Sequence, residues 1–243
     1  MAEREESYLS ATRHPWPCLL FLLPLLAAYE GGVIWLGGKH PESLRNGVDA
    51  WLRWGLGKVG LRHFYWVPAL LAVAFGLWSW LRRGDRPKDL LTILSGMVLE
   101  SVLFALGLWA VGHGVGQLLD HLQTAVTSSI PVEEAVGQVV TFVGAGIYEE
   151  ALFRLLLFTG LLRLLDRLDV PPPLMLALAA LASSAVFAAA HHIGPYGEPF
   201  DSAAFVFRLV AGVYFALLYQ VRGFGIAAGA HALYDVLAGV SIG

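Results

Sequence analysis

Three small groups of ionisable residues stand out because almost all of their neighbours are apolar. The stretch GAGIYEEALFR (144–154) holds Glu149, Glu150 and Arg154. SSAVFAAAHHIG (183–194) ends on His191 and His192, with Phe187 one helical turn before His191. GIAAGAHALYDVLAG (225–239) carries His231 and Asp235. Glu150 and Arg154 are four apart, so on a helix they share a face and can pair. Glu149 is rotated by about 100° from Glu150 and is free to face a cavity. His231 and Asp235 share a face in the same way, flanked by Gly and Ala that leave space around them. Carboxylates and imidazoles together make an acid–base set suited to hydrolysis.

Peptide hydrolysis needs an activated water, a donor for the oxyanion and a proton for the departing amine. Glu149 suits the base, and His191 suits holding the water and shuttling the proton. His231 and Asp235 suit the developing negative charge. A buried ion pair that only fixes packing is the alternative for Glu150 and Arg154, and His192 reads as an interfacial residue. Other protease chemistries lack their signatures. H-E-x-x-H of the zinc enzymes is absent. Ser95, Ser183 and Ser184 do not sit in G-x-S-x-G. Asp235 is the sole aspartate expected within a span, where an aspartyl site needs two. A glutamate-based site remains, although Glu149, His191, His231 and Asp235 also offer the N/O donors that zinc accepts.

The elements that position these groups follow from composition. The chain has 243 residues, 57% hydrophobic and 14% charged, against roughly 25% charged in soluble domains. Mean hydropathy is +0.64. Apolar runs of about 20 residues, the length that crosses a bilayer, predict an all-α polytopic bundle of about seven spans. They lie near 16–36, 65–81, 90–112, 136–162, 174–192, 202–220 and 223–242. Residues 37–63 mix Lys39, Arg45, Arg53, Lys58 and Arg62 with Trp51, Leu52, Trp54 and Leu56, the pattern of an interfacial amphipathic helix. Residues 117–135 form a second such candidate. The single Cys18 excludes an internal disulfide, and no basic stripe suggests nucleic acid.

Lys/Arg bias sets orientation. RRGDRPK (82–88), Arg163 with Arg167, and Arg222 mark one side; the loops 113–135 and 193–201 hold no Lys or Arg. A cytoplasmic N-terminus fits this alternation, with 37–63 the segment that opposes it. The poor positive character of residues 1–15 predicts a retained first helix rather than a cleaved signal. A short multi-span chain without a transit peptide fits a prokaryotic plasma membrane. Intramembrane charge costs about 2.5–3.5 kcal/mol per residue on insertion scales, so Glu30, Glu100 and Arg208 also need partners. Glu100 is expected to pair with Arg208 or to line the same cavity.

Glu149-Glu150-x-x-x-Arg154, Phe187-x-x-x-His191 and His231-x-x-x-Asp235 resemble, in order, the EExxxR, FxxxH and HxxxN/D motifs of the CPBP family. That family comprises the type II CAAX prenyl endopeptidases and bacteriocin-processing or immunity relatives. The resemblance covers roughly residues 90–243, the expected catalytic membrane core, with 1–89 supplying N-terminal spans and the interfacial helix. It implies an intramembrane endopeptidase acting on a hydrophobic or lipidated peptide or protein in the bilayer. By matching position, Glu149 is the general base and His191 positions the water. His231 and Asp235 form the oxyanion side, and Glu150, Arg154 and Phe187 support. Asp235 stands where the eukaryotic CAAX enzymes resemble an Asn pattern. The family is described both as metalloproteases and as metal-independent glutamate proteases; the metal-free form is the expectation here, with zinc or a similar divalent metal as the alternative. The rival class is a non-catalytic scaffold or bacteriocin-immunity protein on the same fold. A transporter is third, without the duplicated halves many transporters show.

Overall fold

Backbone polar groups cannot be left unpaired in hydrocarbon, so a chain this apolar must satisfy them inside helices. The computed structural model describes residues 7–61, 63, 65–120, 132–194 and 197–239, and among them there is no strand. In chain order the helices are α1 (Tyr8–Ala11), α2 (Pro15–Gly37), α3 (Gly47–Lys58), α4 (Trp66–Leu81) and α5 (Leu90–Asp120). Then follow α6 (Val132–Glu150), a π-helical segment (Ala151–Phe158), α7 (Thr159–Arg167), α8 (Pro172–Ala190), α9 (Ser202–Arg222) and α10 (Phe224–Gly239).

The expected count of seven spans is not reproduced by length and composition. Among the described residues four helices are long and apolar enough to cross a bilayer: α2, α5 (over Leu90–Gly112), α8 and α9. The run at 65–81 becomes α4, apolar but only 16 residues long. The run at 136–162 becomes α6 continuing through the π segment into α7. The run at 223–242 becomes α10, whose first nine residues, Phe224–Ala232, are all buried against other helices. It is a core helix first. The expected surface helix at 117–135 falls mostly outside the described residues, apart from the ends of α5 and α6.

Large apolar side chains cover the outside. Leu91 is 83% exposed and Trp35 81%, and Leu99, Val73, Leu156 and Val210 are more than half exposed. A contiguous apolar exterior of this kind needs lipid around it.

With hydrocarbon on both sides of the comparison, helices associate through close packing rather than hydrophobic burial. α10 takes the centre, packed chiefly on α5 and α6 and also on α9 and α2. Gly146 of α6 makes the α6–α10 approach possible. A Cβ there would lie 2.5 Å from the Ala228 carbonyl oxygen and 2.7 Å from the Ala232 nitrogen. Gly212 of α9 meets α8 similarly, its absent Cβ falling 2.8 Å from Ser184 Cβ. Ser184 and Gly212 thus bring α8 and α9 into close contact.

The amphipathic segment is only half interfacial. Asn46 caps α3 by accepting from Val48 N at 2.9 Å, and Trp54 points outward at 70% exposure. The charged edge turns inward. Arg45 bonds Glu30 of α2 at 3.1 Å and Asp49 at 2.5 Å. Arg53 bonds the other oxygens of the same carboxylates at 2.9 and 2.7 Å. Tyr29 donates to Asp49 and Tyr148 to Glu30, each at 2.9 Å. Two guanidinium and two carboxylate groups close a neutral cluster between α2, α3 and α6. The expected partner of Glu100 is also corrected: it is held by Arg222, whose Nε and Nη2 lie 2.6 and 2.5 Å from its two oxygens. Arg208 instead pairs with Glu198 at 2.7 Å.

Candidate active site

The α6–α10 approach brings the first and third sequence groups together. Glu150 is fully enclosed; its Oε1 accepts from His231 Nδ1 at 2.8 Å, and its Oε2 lies 3.4 Å from Arg154 Nε. Arg154 follows on the π segment, a widened turn of a kind often found at functional sites. Its guanidinium stacks over Phe187 at 4.4 Å and donates to the Gly212 carbonyl at 3.2 Å. The pairing expected from the i, i+4 spacing is therefore present, and Glu149 diverges from it as the helical rotation requires.

Glu149 is 94% buried yet borders a cavity of about 400 Å³, together with Asn46, His191, Arg208, His231 and Asp235. Its Oε2 lies 3.9 Å from His191 Nε2 and 3.8 Å from His231 Nε2. Its Oε1 accepts from Asn46 Nδ2 at 2.9 Å. His191 is the C-cap of α8 rather than a residue within it, and its Nδ1 lies 2.9 Å from the Phe187 carbonyl. A carbonyl only accepts, so Nδ1 carries the proton and Nε2 faces Glu149 as an acceptor when the ring is neutral. Phe187 meets the His191 ring edge to face at 4.9 Å.

His231 sits among three carboxylates. Beyond Glu150 and Glu149, its Nε2 lies 3.5 Å from Asp235 Oδ2. The ring lies flat on Phe215, with centroids 4.5 Å apart and planes inclined by 14°. Nδ1 is committed to Glu150, so Nε2 is the atom left to meet a substrate. All four residues expected to act, and the three expected to support them, thus come together. His192 stays outside, its Nδ1 3.1 Å from the Glu198 carbonyl and its ring against Phe200. Asn46 was not anticipated from the sequence. The one signal available was its N-cap position ahead of VDAWL, which says nothing of a partner 103 residues away.

Among the described residues no group of three or more His, Cys, Asp or Glu side chains is arranged to hold a metal ion. The site's nitrogen and oxygen donors are of the types that zinc accepts.

Apolar helices of bilayer-crossing length, wrapped around an enclosed carboxylate–imidazole cluster, define an integral membrane protein with a polar cavity. Residues 131–237 match the family model described as Rce1-like, type II CAAX prenyl endopeptidase. The matched segment contains every motif residue from Glu149 to Asp235 and excludes Asn46. No curated protein and no solved structure matches the chain.

Proposed function

We propose that this protein is an intramembrane endopeptidase that hydrolyses a peptide bond in a membrane-associated or lipidated peptide or protein, with Glu149 as general base. The supporting observation is that Glu149 Oε2 faces two imidazole nitrogens at 3.9 and 3.8 Å on the wall of a cavity. Atoms so spaced can share one water within hydrogen-bonding reach of about 2.8 Å. That water donates one proton to Glu149 and the other to His191 Nε2, leaving an oxygen lone pair for the scissile carbonyl carbon.

As the new C–O bond forms, Glu149 takes the proton and the carbonyl oxygen becomes an oxyanion. His231, oriented by Glu150 and Asp235 and carrying a proton on each ring nitrogen, donates to that oxygen from Nε2. The C–N bond then breaks, and the proton held by Glu149 passes to the leaving amine. Positioned electrostatic donors of this kind contribute about 2.7–4 kcal/mol to rate. Arg154 keeps Glu150 compensated and takes no part in proton transfer. No metal enters the scheme. A cytoplasmic N-terminus is the orientation that the Lys/Arg bias of the loops supports.

The test is proteolysis by the detergent-purified protein on a panel of membrane peptides that includes a prenylated C-terminal peptide. Wild type is expected to cleave and Glu149→Gln to lose cleavage by at least about 100-fold. Cleavage is expected to survive a strong chelator. Undiminished cleavage by Glu149→Gln would overturn the role of Glu149, and chelator-sensitive cleavage would overturn the metal-free scheme.

A further inference from the structure

We propose that Asn46, outside the family-matched segment, is a positioning residue for the base: its amide fixes one oxygen of Glu149 so that the other faces the two imidazoles. The inference rests on reading Glu149 as the general base, and it assigns the N-terminal part of the chain a share in the site.

The amide has no freedom to turn. Its Oδ1 is occupied by the backbone N–H of Val48 at 2.9 Å, the N-cap bond of α3. Only Nδ2 is left to donate, and it meets Glu149 Oε1 at 2.9 Å. The backbone is held as well, since Asn46 N–H donates to Tyr29 Oη at 3.0 Å. Tyr29 in turn donates to Asp49, which both Arg45 and Arg53 bind. Neighbours on either side of Asn46 therefore sit in the buried ion cluster, and that cluster is tied to Glu30 of α2. Glu149 and Tyr148 are adjacent on α6, and Tyr148 donates to the same Glu30. The base and the amide that holds it are thus referenced to one rigid frame.

An ionised carboxylate with neither oxygen fixed would rotate between His191 and His231. With Oε1 occupied, Oε2 is the oxygen presented to both. Asn is the residue that does this while also capping the helix. Serine and aspartate cap equally well, but serine is too short to reach Glu149 and aspartate places a second carboxylate against it.

Asn46→Ser and Asn46→Asp therefore separate the two duties. Both keep the cap, so both should fold, Asn46→Ser with a small drop in unfolding midpoint from the lost bond to Glu149 and Asn46→Asp with a larger one from the two facing carboxylates. On whichever panel peptide wild type cleaves, Asn46→Ser should lower kcat by about 10–100-fold, the scale of a misplaced reacting group, with KM within about twofold. Asn46→Asp should lose more. A purely structural cap predicts wild-type kcat in Asn46→Ser, and that result would overturn the proposal while leaving Glu149→Gln to judge the base. A second measurement needs no substrate. The shifts in unfolding midpoint of Asn46→Ser and Glu149→Ala should be non-additive in the double variant, as for residues in contact. Strict additivity would overturn the contact itself, whatever the fate of the catalytic reading.

Discussion

Arg154 is the side chain on which the site's electrostatics turn. It is 1% exposed and lies between Glu150 and the faces of Phe187 and Phe215. A fully buried Glu150 would be an uncompensated charge without it, because His231 alone would then have to satisfy the carboxylate. Arg154→Ala should cost about 3–5 kcal/mol, the penalty for breaking a buried pair from one side. Arg154→Lys should also be destabilising, since an ammonium cannot reproduce a planar group stacked on two rings. Unfolding in detergent checks both; a wild-type midpoint for Arg154→Ala would mean that Glu150 does not depend on it. This pair was legible in the sequence because i, i+4 spacing is a local rule, and the divergence of Glu149 follows from the same geometry. The partner of Glu100 was not. Arg208 and Arg222 stand on one helix, about 21 Å apart along its axis at 1.5 Å per residue. Which of them meets Glu100 depends on the depth at which α5 crosses α9, and no local pattern in either helix encodes that depth.

At the scale of elements, the site exists because α6 and α10 lie close enough for Glu150 to reach His231. Gly146 sets that distance. In Gly146→Ala the new methyl would press on the Ala228 carbonyl and the Ala232 backbone, so the helices must part or bend, at about 1–3 kcal/mol for overpacking. The Glu150–His231 contact stretches with them, and cleavage should fall further than the loss of stability alone explains. Gly107→Ala is the control. Gly107 is exposed on α5, and nothing lies within 4 Å of its added Cβ. Activity and unfolding midpoint should both match wild type. Equal tolerance of the two substitutions would show that α6–α10 spacing does not limit the site. Apolar runs and small-residue clusters made the helices and their contact faces readable. They did not reveal that α10, apolar apart from His231 and Asp235, is enclosed by protein over its first nine residues. A helix apolar all round suits lipid and protein core alike, and only the packing of α5, α6 and α9 around it decides the matter.

For the whole molecule the open quantity is orientation, and the ion cluster changes its arithmetic. The positive-inside rule counts Lys and Arg in short loops, and residues 37–63 oppose a cytoplasmic N-terminus through five such residues. Arg45 and Arg53 are folded against Glu30 and Asp49 in the structure. They are neutralised within the protein, so they weigh less than exposed charges. Exposed Arg82, Arg83, Arg86 and Lys88 on the opposite side of α4 then dominate. Trp51 of α3 lies beside Gly194, in the turn after α8, so the cavity that holds Asn46 and His191 is at the same end as the α2–α3 loop. Single-cysteine labelling reads this directly, because the native Cys18 is buried. A membrane-impermeant maleimide on intact cells should label Lys39→Cys, while Arg83→Cys should react only once the membrane is opened. That pattern would place the cavity mouth away from the cytoplasm, where an exported or outward-facing peptide would meet it. The reverse pattern would invert the bundle, turn the same cavity towards the cytoplasm, and show that Arg45 and Arg53 still count as topogenic charges before their cluster closes.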